Sequence, residues 1–121
     1  MSTIAFIGLG RMGVPMAAHL VAAAHTVRGV EINPAAAEVA RAHGIDVVGS
    51  NAEALAGADA CLTSLPKPEH VRAAYGGDDG IFAHAEASTV LIDTSTVDVE
   101  TSRRCHREAE AGGLTFVDAP I

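Results

Sequence analysis

The six residues Gly8-Leu9-Gly10-Arg11-Met12-Gly13 place three glycines at the spacing G-x-G-x-x-G. Each glycine answers a different demand when a diphosphate must be held against backbone. The first makes a tight turn, the second lets the backbone approach the pyrophosphate, and the third lets a helix lie close against the strand before it. Unpaired amides and the positive dipole end of that helix complete a fixed anion site. All six residues are therefore candidates for holding a cofactor. Glu31 follows Gly13 by eighteen residues, the place where a dinucleotide fingerprint puts an acid. Its carboxylate suits the hydroxyls of the adenosine ribose, whereas a 2′-phosphate at about 4 Å would be repelled by about 4 kcal/mol per unit charge at an effective dielectric near 20. Ile32 supplies no compensating cation, and Arg28 is assigned to a solvated surface. NAD is expected in preference to NADP. Flavin and S-adenosylmethionine folds also place an acid here, so the far half of the nucleotide stays open on these residues alone.

Such a turn needs a strand before it and a helix after it. Short apolar runs predict strands over Thr3–Gly8, Thr26–Glu31, Asp46–Val48, Ala58–Leu65, Thr89–Asp93 and Leu114–Asp118. Between them lie helical patterns over Arg11–Ala23, Pro34–His43, Asn51–Ala56, Pro68–Ala74 and Val99–Ala111. Met12, Met16 and Leu20 recur every four residues on the first of these, Pro34 stands at the start of the second with Gly44 at its stop, and Ser95-Thr96-Val97-Asp98 reads as a capping pattern for the last. The Gly76–Gly80 stretch is expected to be a loop. Six strands alternating with five helices give an α/β fold, a doubly wound Rossmann-type parallel sheet with helices on both faces.

The composition fits that architecture and removes other classes. The chain has 121 residues, one domain's worth, with 49% apolar residues and only 3% aromatic. Eight Lys and Arg against fifteen Asp and Glu leave a net charge of −7, which repels a phosphate backbone, so nucleic acid is not an expected partner. The N-terminal residues lack the basic flank of a signal peptide and the length of a membrane anchor. Cys61 and Cys105 are expected to be reduced, buried thiols in a cytoplasmic protein. The six histidines lack ligand spacing, so no metal site is expected. Arg103, Arg104 and Arg107 with Glu100, Glu108 and Glu110 form a solvated helix face, and Cys105 faces the other way as core.

Four ordered stretches carry a family resemblance. They are Phe6-Ile7-Gly8-Leu9-Gly10-Arg11-Met12-Gly13-Val14-Pro15-Met16-Ala17, Ser64-Leu65-Pro66, Ile92-Asp93-Thr94-Ser95-Thr96 and Phe116-Val117-Asp118-Ala119-Pro120-Ile121. Together they resemble the β-hydroxyacid dehydrogenases, the 3-hydroxyisobutyrate dehydrogenase and tartronate semialdehyde reductase group related to 6-phosphogluconate dehydrogenase. The resemblance covers the whole chain. It implies that Leu65 and Pro66 border the ribose and phosphate on the nicotinamide side, that His70 stands near the cofactor where the family often has Asn, and that Thr96 contacts the nicotinamide end. On the residues alone, Leu65-Pro66 equally ends a strand, Thr96 equally starts a helix, and His70 equally sits in solvent. Two departures stand out. Ala24 replaces a glycine that usually ends the first helix, so a turn other than the left-handed cap is expected there. His19 replaces a common Asn.

The resemblance also implies what lies elsewhere. In the family a Ser-Gly-Gly loop after the Asp-Ala-Pro stretch holds the substrate carboxylate, and a lysine on a later helix is the general acid/base. The only lysine here is Lys67, in the loop after the fourth strand, so no catalytic residue is assigned to this chain. Residues 1–121 are read as the dinucleotide-binding domain of an NAD-dependent β-hydroxyacid oxidoreductase, with the helical substrate and dimerisation domain absent. Such a chain binds cofactor without turnover, and meets its β-hydroxyacid only in the complete enzyme. A free-standing NAD(H)-binding regulatory or redox-sensing module and a subunit completed in trans are the other readings, and the partners expected are a homo-oligomer or the missing C-terminal domain. Exposed apolar surface discriminates, because a domain that normally packs against another leaves such a patch and a self-sufficient module does not.

Overall fold

The computed structural model describes residues 2–9 and 13–119. The phosphate-turn positions Gly10, Arg11 and Met12, with Met1, Pro120 and Ile121, lie outside the described residues. Six strands form one parallel sheet in the order β3-β2-β1-β4-β5-β6. They are β1 (Thr3–Ile7), β2 (Thr26–Val30), β3 (Asp46–Val47), β4 (Ala60–Thr63), β5 (Val90–Asp93) and β6 (Thr115–Asp118). Between them run α1 (Gly13–Ala22), α2 (Pro34–Ala42), α3 (Asn51–Leu55), α4 (Pro68–Tyr75), α5 (Ile81–His84) and α6 (Val99–Ala111). The doubly wound architecture is the expected one. The strands are shorter than their apolar runs, because Gly8, Glu31 and Leu65 have already turned out of the ladder. α5 was not expected. A single turn opening at Gly80 is too short to show periodicity, yet it brings Ile81 and Phe82 onto the core.

Local chemistry starts the helices where polar side chains can reach the first amides. Asn33 Oδ1 accepts from the amides of Ala35 and Ala36 ahead of Pro34. Ser50 caps α3 through the Glu53 amide. Asp98 caps α6, accepting from the Thr101 amide at 3.1 Å and its hydroxyl at 2.6 Å. These bonds, the hydroxyl first, hold the Asp98 carboxyl below the usual carboxylate range. Ser95, at the start of the expected capping pattern, instead accepts from the Leu65 amide beyond β4.

Three helices end alike. The amides of Ala24 and His25 bond to Val21 O and Leu20 O, those of Gly44 and Ile45 to Arg41 O and Ala40 O, and those of Gly113 and Leu114 to Glu110 O and Ala109 O. These are Schellman caps, which need a left-handed residue just past the helix. Gly44 and Gly113 supply it with φ of 83° and 71°. Ala24 supplies it too, at φ 71°, and is the only non-glycine with positive φ among the described residues. The expected alternative turn is not made: the cap's two hydrogen bonds are kept and alanine takes the strained conformation.

Two apolar clusters pack on the two faces of the sheet. Phe6, Leu9, Val14, Ala17, Val27, Ala40 and Ile45 join α1 and α2 to one face. Ala5, Ile7, Leu55, Cys61, Val71, Tyr75, Ile81, Leu91, Cys105 and Phe116 join α3 to α6 on the other. The pairing register shows that the two faces are not covered alike. On the second face the row Ala5–Cys61–Leu91–Phe116 stays buried from β1 to β6. On the first, the row Phe6–Leu62–Ile92–Val117 starts at 0% exposure and ends at 44% on Val117, and Val90 beside it is 37% exposed. The β5 and β6 half of that face is bare of any described helix.

Candidate functional site

The carboxyl ends of β1, β2, β4 and β5 converge where the strand order reverses, the crevice in which open α/β sheets bind ligands. Gly8 leaves β1 with φ 92°, and its amide bonds to Val30 O at 3.0 Å. A Cβ on Gly8 would stand 2.4 Å from Ser64 O and 2.8 Å from Leu65 Cδ2. A Cβ on Gly13 would stand 2.2 Å from Gly8 O. Both glycines are therefore required by close approach, the first under β4 and the second where α1 crosses the turn. These contacts fit a dinucleotide turn, since they bring the start of α1 as near to the strand end as backbone allows.

Glu31 is half-buried at the end of β2 and tied from both sides. Its Oε1 accepts from the Leu9 amide at 2.8 Å and its Oε2 from the Asn33 amide at 2.9 Å. A carboxylate has about four lone-pair sites, so about two remain for a diol. Ile32, the next residue, is 93% exposed, and no ion pair to Glu31 occurs among the described residues. Arg28 is not a solvated bystander: its guanidinium donates to the carbonyls of Glu53 and Ala56 at the end of α3, away from Glu31.

Across the crevice, the Leu65 amide donates to Ser95 Oγ at 2.8 Å, and Leu65 packs against the larger core cluster. Pro66 is exposed beside it, and His70 is exposed in the first turn of α4. Thr96 is exposed directly after Ser95. Leu65, Pro66 and Thr96 thus share the rim formed by the loops after β4 and β5, with His70 one helical turn behind. His19 is exposed on α1, lining with His43 an apolar groove of about 550 Å³ between α1 and α2, on the helix layer.

Reading the sequence missed the support beneath that rim. Asp93 is 1% exposed at the end of β5; its Oδ1 accepts from Thr63 Oγ1 at 2.9 Å and from the Ser95 amide at 3.0 Å. Thr63 Oγ1 also lies 2.7 Å from the Tyr75 hydroxyl of α4. Burial, above all, pushes the Tyr75 hydroxyl well above its usual range. The available signal was an acid closing an apolar strand, a position where a buried carboxylate must find internal partners. A smaller cavity of about 250 Å³ opens between β6 and α6, lined by Ser95, Val97, Val99, Ser102, Arg103 and Asp118. Asp118 accepts from Ser102 and pairs with His106 at 2.8 Å, which holds its carboxyl low.

Comparison with known proteins agrees with this geometry. The family model for the NAD-binding domain of 6-phosphogluconate dehydrogenase matches residues 3–121. The chain belongs to that family of NAD-binding domains. Within it, the chain is 47% identical over 121 residues to a probable 3-hydroxyisobutyrate dehydrogenase of Mycobacterium bovis, covering all of this chain and 40% of that protein. It is 36% identical over 121 residues to an NAD-dependent L-serine dehydrogenase of Pseudomonas aeruginosa, covering all of this chain and 41% of the relative. The structure of Mycobacterium tuberculosis 3-hydroxyisobutyrate dehydrogenase with L-serine superimposes with a TM-score of 0.92 at 48% identity, over 99% of this chain and 40% of that one. The chain therefore spans about 40% of the length of these relatives. No described helix is long and apolar enough to cross a membrane, and no group of three His, Cys, Asp or Glu gathers for a metal among the described residues.

Proposed function

We propose that this NAD-binding domain serves an oxidoreductase that passes hydride between NAD and a small β-hydroxyacid of the 3-hydroxyisobutyrate class. The observation that carries the cofactor choice is the Glu31 carboxylate, fixed between the Leu9 and Asn33 amides. A ribose diol adds donors to an acceptor already in place. A 2′-phosphate adds a second negative charge with no described cation to meet it, so NAD is favoured over NADP. The phosphates would lie along Gly8-Leu9-Gly10-Arg11-Met12-Gly13, with Leu65, Pro66, His70 and Thr96 on the nicotinamide side. NAD, when bound, supplies the hydride acceptor at its nicotinamide ring; these residues orient it and keep the phosphates against backbone amides.

The substrate class rests on relatives named for 3-hydroxyisobutyrate and L-serine, both small acids bearing a β-hydroxyl. The exposed row ending at Val117 supports a domain that packs against further protein, either a helical substrate domain or a second copy, over a free-standing regulatory module. Free thiols at Cys61 and Cys105 suit a reducing, cytoplasmic setting.

Titration calorimetry of the 121-residue chain with NAD and with NADP tests the reading. NAD is expected to bind at least about tenfold tighter, a difference of about 1.4 kcal/mol. Equal affinities overturn the role of Glu31. Mixed with NAD and 3-hydroxyisobutyrate, the chain is expected to give no steady NADH, since no lysine acid/base is positioned; sustained turnover would overturn the view that proton transfer needs a further domain.

A further inference from the structure

The loops after β1, β4 and β5 are joined by a line of contacts that starts in the core and ends at the phosphate turn. Asp93 Oδ1 holds the Ser95 amide at 3.0 Å, and Ser95 Oγ holds the Leu65 amide at 2.8 Å. Leu65 Cδ2 in turn lies where a side chain on Gly8 would be, 2.8 Å from that Cβ position. Ser95 is 5% exposed and Asp93 1%; the bond between them is buried and the bond to Leu65 part-buried. The Thr63 hydroxyl donates to the carboxylate from below and is itself bonded to the Tyr75 hydroxyl.

We infer that Ser95 is a positioning residue for the nicotinamide half of the cofactor, acting through the Leu65 amide and braced by Asp93. This rests on the dinucleotide reading given above and adds to it a residue that does not itself face the ligand. An amide that lost this acceptor would turn to water, and Leu65-Pro66 would leave the rim against which the nicotinamide ribose is to lie. Among the described residues Glu31 has no bond to Ser95, and the turn meets it only through the packing of Leu65 beside Gly8. Loss of the hydroxyl therefore separates the two halves of the site.

The test compares Ser95→Ala and Ser95→Thr with the unaltered chain, using NAD, ADP and amide hydrogen exchange. ADP carries the adenosine and both phosphates but lacks the nicotinamide riboside. In Ser95→Ala, NAD affinity is expected to fall about three- to tenfold, the worth of one net hydrogen bond. ADP affinity should fall less than NAD affinity, and the Leu65 amide of the ligand-free chain should exchange about tenfold faster or more, as its protecting bond is gone. Ser95→Thr keeps the hydroxyl and is expected to restore NAD binding. Equal losses for NAD and ADP, or unchanged Leu65 exchange, overturn the positioning role. An unaltered chain that binds neither ligand overturns the dinucleotide reading itself, and the exchange rate still decides whether Ser95 holds Leu65.

Discussion

The Leu9 amide and the Glu31 carboxylate meet at 2.8 Å, so the turn after β1 and the end of β2 form one unit before any nucleotide arrives. A residue read from the sequence as a ribose acceptor also fixes the backbone at Leu9, just after β1. That double duty makes Glu31 informative to change.

In Glu31→Gln the negative charge is removed and one acceptor oxygen remains, so one of the Leu9 and Asn33 amides loses its partner. The ratio of NAD to NADP affinity should fall by about tenfold or more, chiefly because NADP binds better once repulsion at the 2′ position is gone. Calorimetry with both cofactors checks this; an unchanged ratio would place the discrimination elsewhere.

At the end of α1, Ala24 holds φ 71° to keep a cap that glycine makes elsewhere in the chain. Left-handed backbone costs an alanine about 1 kcal/mol or slightly more, which glycine avoids. Ala24→Gly should therefore stabilise by about 1 kcal/mol and raise the melting temperature by about 4 °C. The expected direction is opposite for Ala17→Gly inside the same helix, where glycine loses helix propensity and Ala17 is fully buried. Thermal unfolding of the two variants reads both signs.

Thr63 joins Tyr75 to Asp93 in the core. Thr63→Val keeps the shape and removes the hydroxyl, leaving a buried phenol and a buried carboxylate each short of a partner, at a cost of about 1–3 kcal/mol. Tyr75→Phe removes only the outer member and should cost less. The double variant should fall short of the sum of the single losses, because both act on one network. Denaturant unfolding of the set measures the coupling.

Burial pushes the Cys61 thiol up to about 12 and, with Asp93 and Glu108 adding to it, the Cys105 thiol up to about 11. Both thiols should stay protonated and resist iodoacetamide at pH 8 until the chain unfolds. Because the folded values lie above those of the unfolded chain, near 8.5, this contribution to stability is complete below about pH 8.5 and is lost as pH rises toward the folded values. Urea midpoints measured from pH 7 to 10.5 should decline above pH 8.5, and less so in Cys61→Ala after allowing for its lower baseline.

The sequence by itself determined the winding, the close approach at Gly8 and Gly13 and the acid at the end of β2. These are local signals: apolar runs set strands, caps set helix starts, and glycine spacing marks where backbone must approach backbone. It also marked Cys61 and Cys105 as buried thiols, Cys105 because its helical spacing turns it away from the charged face of α6.

Only the tertiary structure decided which residues brace one another across strands. Asp93, Ser95 and Leu65 meet because β4 and β5 pair in a register that ends both strands at one level, and pairing register is a property of the sheet. Ala24 could not be read from its type, because two hydrogen bonds from the Schellman cap outweigh the local preference of alanine against positive φ. The bare face at Val90 and Val117 was likewise invisible, since each valine alone reads as core. It is the absence of a described helix over β5 and β6, on one side only, that leaves them in solvent.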